Sequence, residues 1–200
     1  MSGVLTNITE QSQANLAMIE FETLGVSAKI YRTDKIQELT YAAVISEGTE
    51  TVQRNKNEIL AIDKKEDIQY GSDLTASHIV FSPEIFALID GGSLVMSSSE
   101  PKKVVGYNPP AIGTVVKREK FNVRAYSEIK EGDEIVGYNC IEFKTCKGKP
   151  ISFNLKDGDF IVTQYTISSR PPKGELPYNI KIVDALPAES EPKQQIQTEI

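Results

Sequence analysis

A two-residue rhythm in the second half of the chain constrains its fold more than any other feature. Ile151, Phe153 and Leu155 alternate with Ser152, Asn154 and Lys156, and Tyr178, Ile180 and Ile182 alternate with Asn179 and Lys181. Successive side chains of a strand point to opposite faces, so this rhythm buries one face and wets the other. Turn chemistry punctuates it. Residues 114–129 and 135–145 flank Lys-Glu-Gly-Asp at 130–133, which reads as a hairpin loop. Asp157-Gly158 is a turn dipeptide before a strand over 160–169, and Arg170-Pro171-Pro172-Lys173-Gly174 is a stiff connector.

Helical character is confined to one place. Ser82 is an N-cap type, Pro83 suits the first helical position, and Glu84 suits the positive end of the helix dipole. Ile85, Phe86, Leu88 and Ile89 follow at helical spacing, and Gly91 can end the helix in a left-handed conformation. These four apolar residues are expected to pack the helix onto a sheet. In the first half, Phe21, Val26, Ala28 and Ile30 suggest one or two strands around Gly25, residues 39–45 read as a strand, and residues 58–62 as another. Between them, residues 46–58 (SEGTETVQRNKNE) show no apolar periodicity and read as a long polar loop.

The sum is a mainly β chain: an antiparallel β-sandwich or barrel with one short flanking helix. Two hundred residues at 40% hydrophobic and 25% charged suffice for one packed domain, read as 1–187. Residues 1–17 read as a polar N-terminal arm and 188–200 as a flexible polar C-terminal tail. No run is apolar for the roughly 18 to 20 residues a membrane helix needs, and MSGVLTNITEQSQ lacks the basic and apolar regions of a signal peptide. No membrane partner is expected.

Few groups are available for chemistry. His78 is the single histidine, placed ahead of an apolar run, and reads as a surface or cap residue rather than a catalytic base. Cys140 and Cys146, if they share one strand, fall on one face about 20 Å apart at ~3.3 Å per residue, beyond disulfide reach. Two cysteines and one histidine are too few for a zinc site, and no glycine-rich loop opens a helix as a phosphate cradle would. The expectation is a non-enzymatic protein with no catalytic residues, metal or cofactor.

Charge is uneven. The net charge is −6, from 22 Lys+Arg and 28 Asp+Glu, which argues against a protein that coats nucleic acid. Residues 1–70 carry 11 acids and 7 bases, a net −4, whereas 117–149 carry 8 bases and 6 acids, a net +2. The basic excess (Lys117, Arg118, Lys120, Arg124, Lys144, Lys147 and Lys149) falls on the expected hairpin. It reads either as a solvated strand face or as an edge that meets the acidic half of a neighbouring copy.

A set of motifs resembles the major tail tube proteins of phages and prophages of Gram-positive bacteria. It comprises Tyr70-Gly71-Ser72-Asp73-Leu74-Thr75 with FSPEIFALIDGG at 81–92, NCIEFKTCKGKP at 139–150, Tyr165-Thr166-Ile167-Ser168-Ser169-Arg170-Pro171, and Ile182-Val183-Asp184-Ala185-Leu186-Pro187. The resemblance covers roughly residues 58–187. It implies a structural virion protein, folded as a β-sandwich flanked by a helix, that forms hexameric rings stacked into a tube whose lumen conducts the genome. The implied partners are further copies of itself, tail tip or baseplate and tail terminator proteins, a tape measure protein in the lumen, a sheath, and DNA in transit. The implied location is the virion tail, assembled in the bacterial cytoplasm. Glu22 and Glu38, on expected strands, are candidate carboxylates of the lumen wall. The competing readings are the inner tube of a phage-tail-like bacteriocin or contractile injection particle, and, in another class, a monomeric β-barrel binding module using Tyr126 and Tyr138 beside the basic hairpin.

Overall fold

The computed structural model describes residues 10–25 and 27–188. Its main sheet has nine strands, every pairing antiparallel. One part is built from β1 (Ser12–Thr23), β2 (Ile30–Thr33) and, much later in the chain, β9 (Phe121–Glu131) and β10 (Glu134–Gly148). The other part holds β3 (Ile36–Ser46), β6 (Ile68–His78) and β12 (Val162–Ser169). The order across the sheet is β2-β1-β9-β10-β12-β6-β3, with β11 (Ser152–Asn154) beside β12 and β13 (Asn179–Val183) beside β10. Two ribbons stand outside it: β4 (Glu50–Asn55) with β5 (Glu58–Lys64), and β7 (Ser93–Met96) with β8 (Val104–Asn108). The chain is thus mainly β and antiparallel with one short helix, as the sequence rhythm predicts.

β10 turns the sheet into two layers. Over most of its length it pairs with β9 and β13, but its last three residues, Cys146 to Gly148, pair with β12. The switch happens at a bulge between Phe143 and Cys146, where Thr145 sits at φ 52 and its N–H donates to Asn122 Oδ1 at 3.2 Å. A strand that changes layers through a bulge is how β-sandwiches make corners. The core lies between the layers: Ile19, Phe21, Phe121, Val123, Ala125 and Phe143 from one, Leu74, Ala76, Tyr165 and Ile167 from the other.

The helix α1 (Pro83–Asp90) closes the core where the sequence places it. Ile85, Phe86, Leu88 and Ile89 are all buried. Gly91 ends it at φ 81, a left-handed conformation that suits glycine, with its N–H donating to the Ala87 carbonyl at 3.0 Å. Ser82 differs from expectation in one respect: its hydroxyl bonds Glu84 at 3.3 Å and caps no backbone N–H. The helix end rests directly on the corner of the sheet. A Cβ at Gly148 would lie 2.0 Å from the Ile89 carbonyl oxygen, so only glycine permits that approach.

Three expectations need correction. Residues 46–58 are not a loop, because β4 pairs with β5, the strand expected over 58–62, in a hairpin turning at Lys56. Every residue of both strands is exposed, so no burial imposes an apolar rhythm on β4. Residues 114–120 are not strand. They follow the end of α1, where Val116 and Arg118 pack over Gly91 and Arg118 reaches Asp90 at 3.5 Å, and pairing begins only at Phe121. The polar arm is also shorter in its described part: from Ser12 the chain is already in β1, paired with β9. Residues 1–9 of that arm, Val26, and the tail beyond 188 lie outside the described residues.

Candidate functional site

No group of three metal-ligating side chains comes together among the described residues. His78 is not at the surface. It ends the core-facing series Leu74, Ala76, His78 on β6, with Nδ1 2.8 Å from the Tyr165 hydroxyl and Nε2 3.3 Å from Thr33 Oγ1. Burial holds its pKa below the ordinary imidazole value. That every-second-residue series was present in the sequence and is the signal that could have placed His78 inside.

The cysteines do not share a face. The Thr145 bulge intervenes, so Cys146 joins the core while Cys140, opposite Tyr126, points to the other side of its layer. Both are free and buried, and burial pushes the Cys146 thiol up to about 12, which leaves it inert at neutral pH.

On the outer face of the β2-β1-β9-β10 layer, the register sets alternating charges side by side. Arg32 on β2 opposes Glu20 on β1, which opposes Arg124 on β9, which opposes Glu142 on β10. Arg32 Nε meets Glu20 Oε1 at 2.5 Å, Arg124 Nε meets Glu142 Oε1 at 3.1 Å, and Lys181 of β13 reaches Glu142 at 3.5 Å. Arg124 also pairs with Glu22. Glu20 is only 2% exposed and accepts a further bond from the Tyr126 hydroxyl at 2.9 Å. Burial opposes the charge on Arg124, but its hydrogen bond to Glu142 and the charges of Glu22, Glu142 and Glu20 raise its pKa nonetheless. Burial likewise pushes the Glu142 carboxyl up, and Arg124 and Lys181 more than offset it, leaving the pKa below the usual range. Such a network fixes the layer geometrically and leaves little charge for a partner.

The basic cluster read from the sequence is dispersed by the fold. Lys117, Arg118 and Lys120 precede the hairpin instead of lying on it, and Arg118 is engaged by Asp90. Arg124 belongs to the charge ladder, and Lys149 meets Asp73 at 3.2 Å. Lys144 and Lys147 are exposed on β10. Three of the seven are therefore held within the chain.

Glu22 and Glu38 come to opposite outer faces of the sandwich, so no single wall can carry both. Glu22 lies beside the ladder. Glu38 lies on the face of β3 that points away from the core, where Thr40 Oγ1 donates to it at 3.2 Å. That second face is made of small polar residues in register. Thr40, Thr75 and Thr166 form one row, and Glu38, Ser77 and Gln164 another. Asp73 sits among them. Burial pushes its carboxyl up, but Lys149, Arg170 and Ser168 outweigh that and hold it below the usual range.

Three further surfaces escaped the sequence reading. β3 is an edge strand, hydrogen-bonded only to β6 among the described residues, and its eleven residues carry one charge, Glu38. Beyond it, the β4–β5 hairpin exposes Val52, Ile59, Leu60 and Ile62. At the other end of β6 an apolar groove is lined by Phe81, Phe86, Phe153, Leu155 and Ile161.

No family model matches the sequence, and no curated protein does. Among solved structures, the fold is similar to that of the anti-feeding prophage cap, described as an AFP tube terminating cap and solved by cryo-EM. The two share 12% identity and a TM-score of 0.44, over 90% of this chain and 97% of that one. A likeness of that degree is too loose to carry function across.

Proposed function

We propose that this chain is a structural, non-enzymatic subunit of a tail tube, built to add further copies of itself rather than to bind a small ligand. The observation that carries the reading is the edge of β3. Along eleven residues its outer side presents unpaired backbone groups, and with a Tyr-Ala-Ala-Val-Ile run and a single carboxylate it forms a template for another strand. Soluble monomers blunt such edges with charge, proline or a covering segment, and β3 has one charge and no proline. The sequence motifs quoted above supply the arrangement: hexameric rings stacked around a lumen.

In that arrangement the face bearing Thr40, Thr75, Thr166, Ser77 and Glu38 is the lumen wall. Its cations are few: Lys149 and Arg170 are paired with Asp73, which leaves Lys147, opposite Ser168, as the exposed positive charge, so a passing polyanion releases few counterions and slides. The opposite face is tied up by its own ion pairs and by Arg32, whose Nη1 donates to the Ala188 carbonyl at 2.5 Å. Tail tip, terminator, tape measure and sheath proteins are the further partners this role implies. The reading as a monomeric binding module keeps only Tyr138 of its two tyrosines, because Tyr126 is buried against Glu20 instead of being offered to a base.

Negative-stain electron microscopy of the purified protein across a concentration series tests the proposal. Rings or hollow tubes with a central channel are expected. A species that stays monomeric at every concentration contradicts it.

A further inference from the structure

The apolar hairpin and the apolar groove lie at opposite ends of one strand. β6 leaves the hairpin at Ile68, where it pairs with Ser46, and Lys65 N–H donating to the Thr49 carbonyl at 2.9 Å carries the ribbon onward. Ten residues later β6 reaches His78, opposite Thr163 of β12, and Thr163 in turn opposes Phe153 of β11. At ~3.3 Å per residue the two features are about 33 Å apart along the strand. The hairpin therefore cannot fold back into the groove of its own chain.

Both features are apolar beyond what an isolated surface needs. Ile59, Leu60 and Ile62 of the hairpin are more than half exposed, as are Phe81, Phe153, Leu155 and Ile161 of the groove, which encloses room for about 210 Å³. Exposed apolar clusters of this kind mark interaction sites. The tip of the hairpin and the turn beside the groove carry opposite charge. Around the hairpin turn, Arg54 and Lys56 against Glu58 give +1, whereas at the groove Asp157 and Asp159 against Lys156 give −1. The groove also has a built aromatic floor, with Phe81 and Phe86 edge-to-face at 4.8 Å.

We infer that the β4–β5 hairpin of one subunit seats in the Phe81–Phe153–Leu155–Ile161 groove of a second copy, a head-to-tail contact running along the strand direction that joins one ring to the next. The contact is heterologous: each copy gives a hairpin at one end and receives one at the other, so it propagates without closing on itself. It rests on the reading of the chain as a ring-forming subunit, in which the β3 edge closes the ring and this contact stacks it.

Four variants test it: Ile59→Asp and Leu60→Asp in the hairpin, Phe153→Asp and Leu155→Asp in the groove. All four side chains are more than half exposed, and circular dichroism with thermal melting selects, at each end, a variant that folds as the parent does. In electron micrographs the parent is expected to form tubes, and each variant alone only single rings. Preformed hairpin-variant rings mixed with preformed groove-variant rings are expected to join in pairs and no further, because only one working junction remains. Variants that still form tubes, variants that lose rings altogether, or mixed rings that stay single overturn the inference. Tubes from variants at both ends assign the groove to some other occupant while leaving the tube reading intact. A parent that makes neither rings nor tubes refutes the underlying reading together with this one.

Discussion

Two hairpins of this protein have the same backbone logic and opposite fates. β9–β10 and β4–β5 are both antiparallel pairs joined by short turns. β9 buries Phe121, Val123 and Ala125 on one side and supports the Arg124 ladder on the other. Every residue of β4 and β5 is exposed. An isolated two-stranded ribbon is marginal in water, so the exposed hairpin gains little from its own pairing. The first hairpin is finished by its own chain, and on the reading offered here the second is finished by another.

Perturbations should divide along that line. Phe121→Ala removes a side chain with no exposure, packed edge-to-face on Phe21 at 6.0 Å, and is expected to cost about 3 to 5 kcal/mol in denaturant unfolding. Leu88→Ala, on the helix face that closes the same core, should cost roughly 2 to 5 kcal/mol, and a change below ~0.5 removes the helix from the core. Glu20→Ala leaves Arg32 and Arg124 facing one another. Because those arginines remain about one-fifth exposed, the cost should be roughly 2 to 3 kcal/mol, short of the 3 to 5 of a fully buried broken pair.

Acid should act on the packed region in two stages. His78 has a folded pKa depressed by burial, so its contribution is complete above the ordinary imidazole value near 6.5 and is lost as pH falls from there through the lower folded value. Glu142 and Asp73, also depressed, contribute fully above the ordinary carboxylate range and lose that contribution at lower pH. Melting temperature against pH should show both steps, and His78→Gln should abolish only the upper one. The smallest effect belongs to the exposed hairpin. Leu60→Ala, 54% exposed, should change subunit stability by no more than about 0.5 kcal/mol. A larger loss there erases the distinction between the two hairpins.

The sequence was legible where one face is buried. The helix Pro83–Asp90 and the strands through Phe21, Val123, Phe143 and Ile167 announce themselves because burial selects apolar residues at a fixed period. β4 is invisible for the converse reason: with both faces in solvent nothing selects a rhythm. The bulge at Thr145 was equally hidden, and it moved Cys140 and Cys146 to different faces by inserting one residue into an otherwise regular count. Charge was the least legible feature. Arg124 and Glu22 were read as belonging to two different surfaces, and only the register of β1 with β9 shows that they neutralise each other.

Amide hydrogen exchange of the dispersed subunit and of its assembled form addresses the central claim most directly. β9 and β10 are expected to be protected in both, whereas the outward-facing amides of β3 and the β4–β5 hairpin exchange freely in the subunit and become protected on assembly. Protection of the outward-facing β3 amides and the hairpin already in the dispersed subunit, or free exchange of both in the assembly, would contradict it.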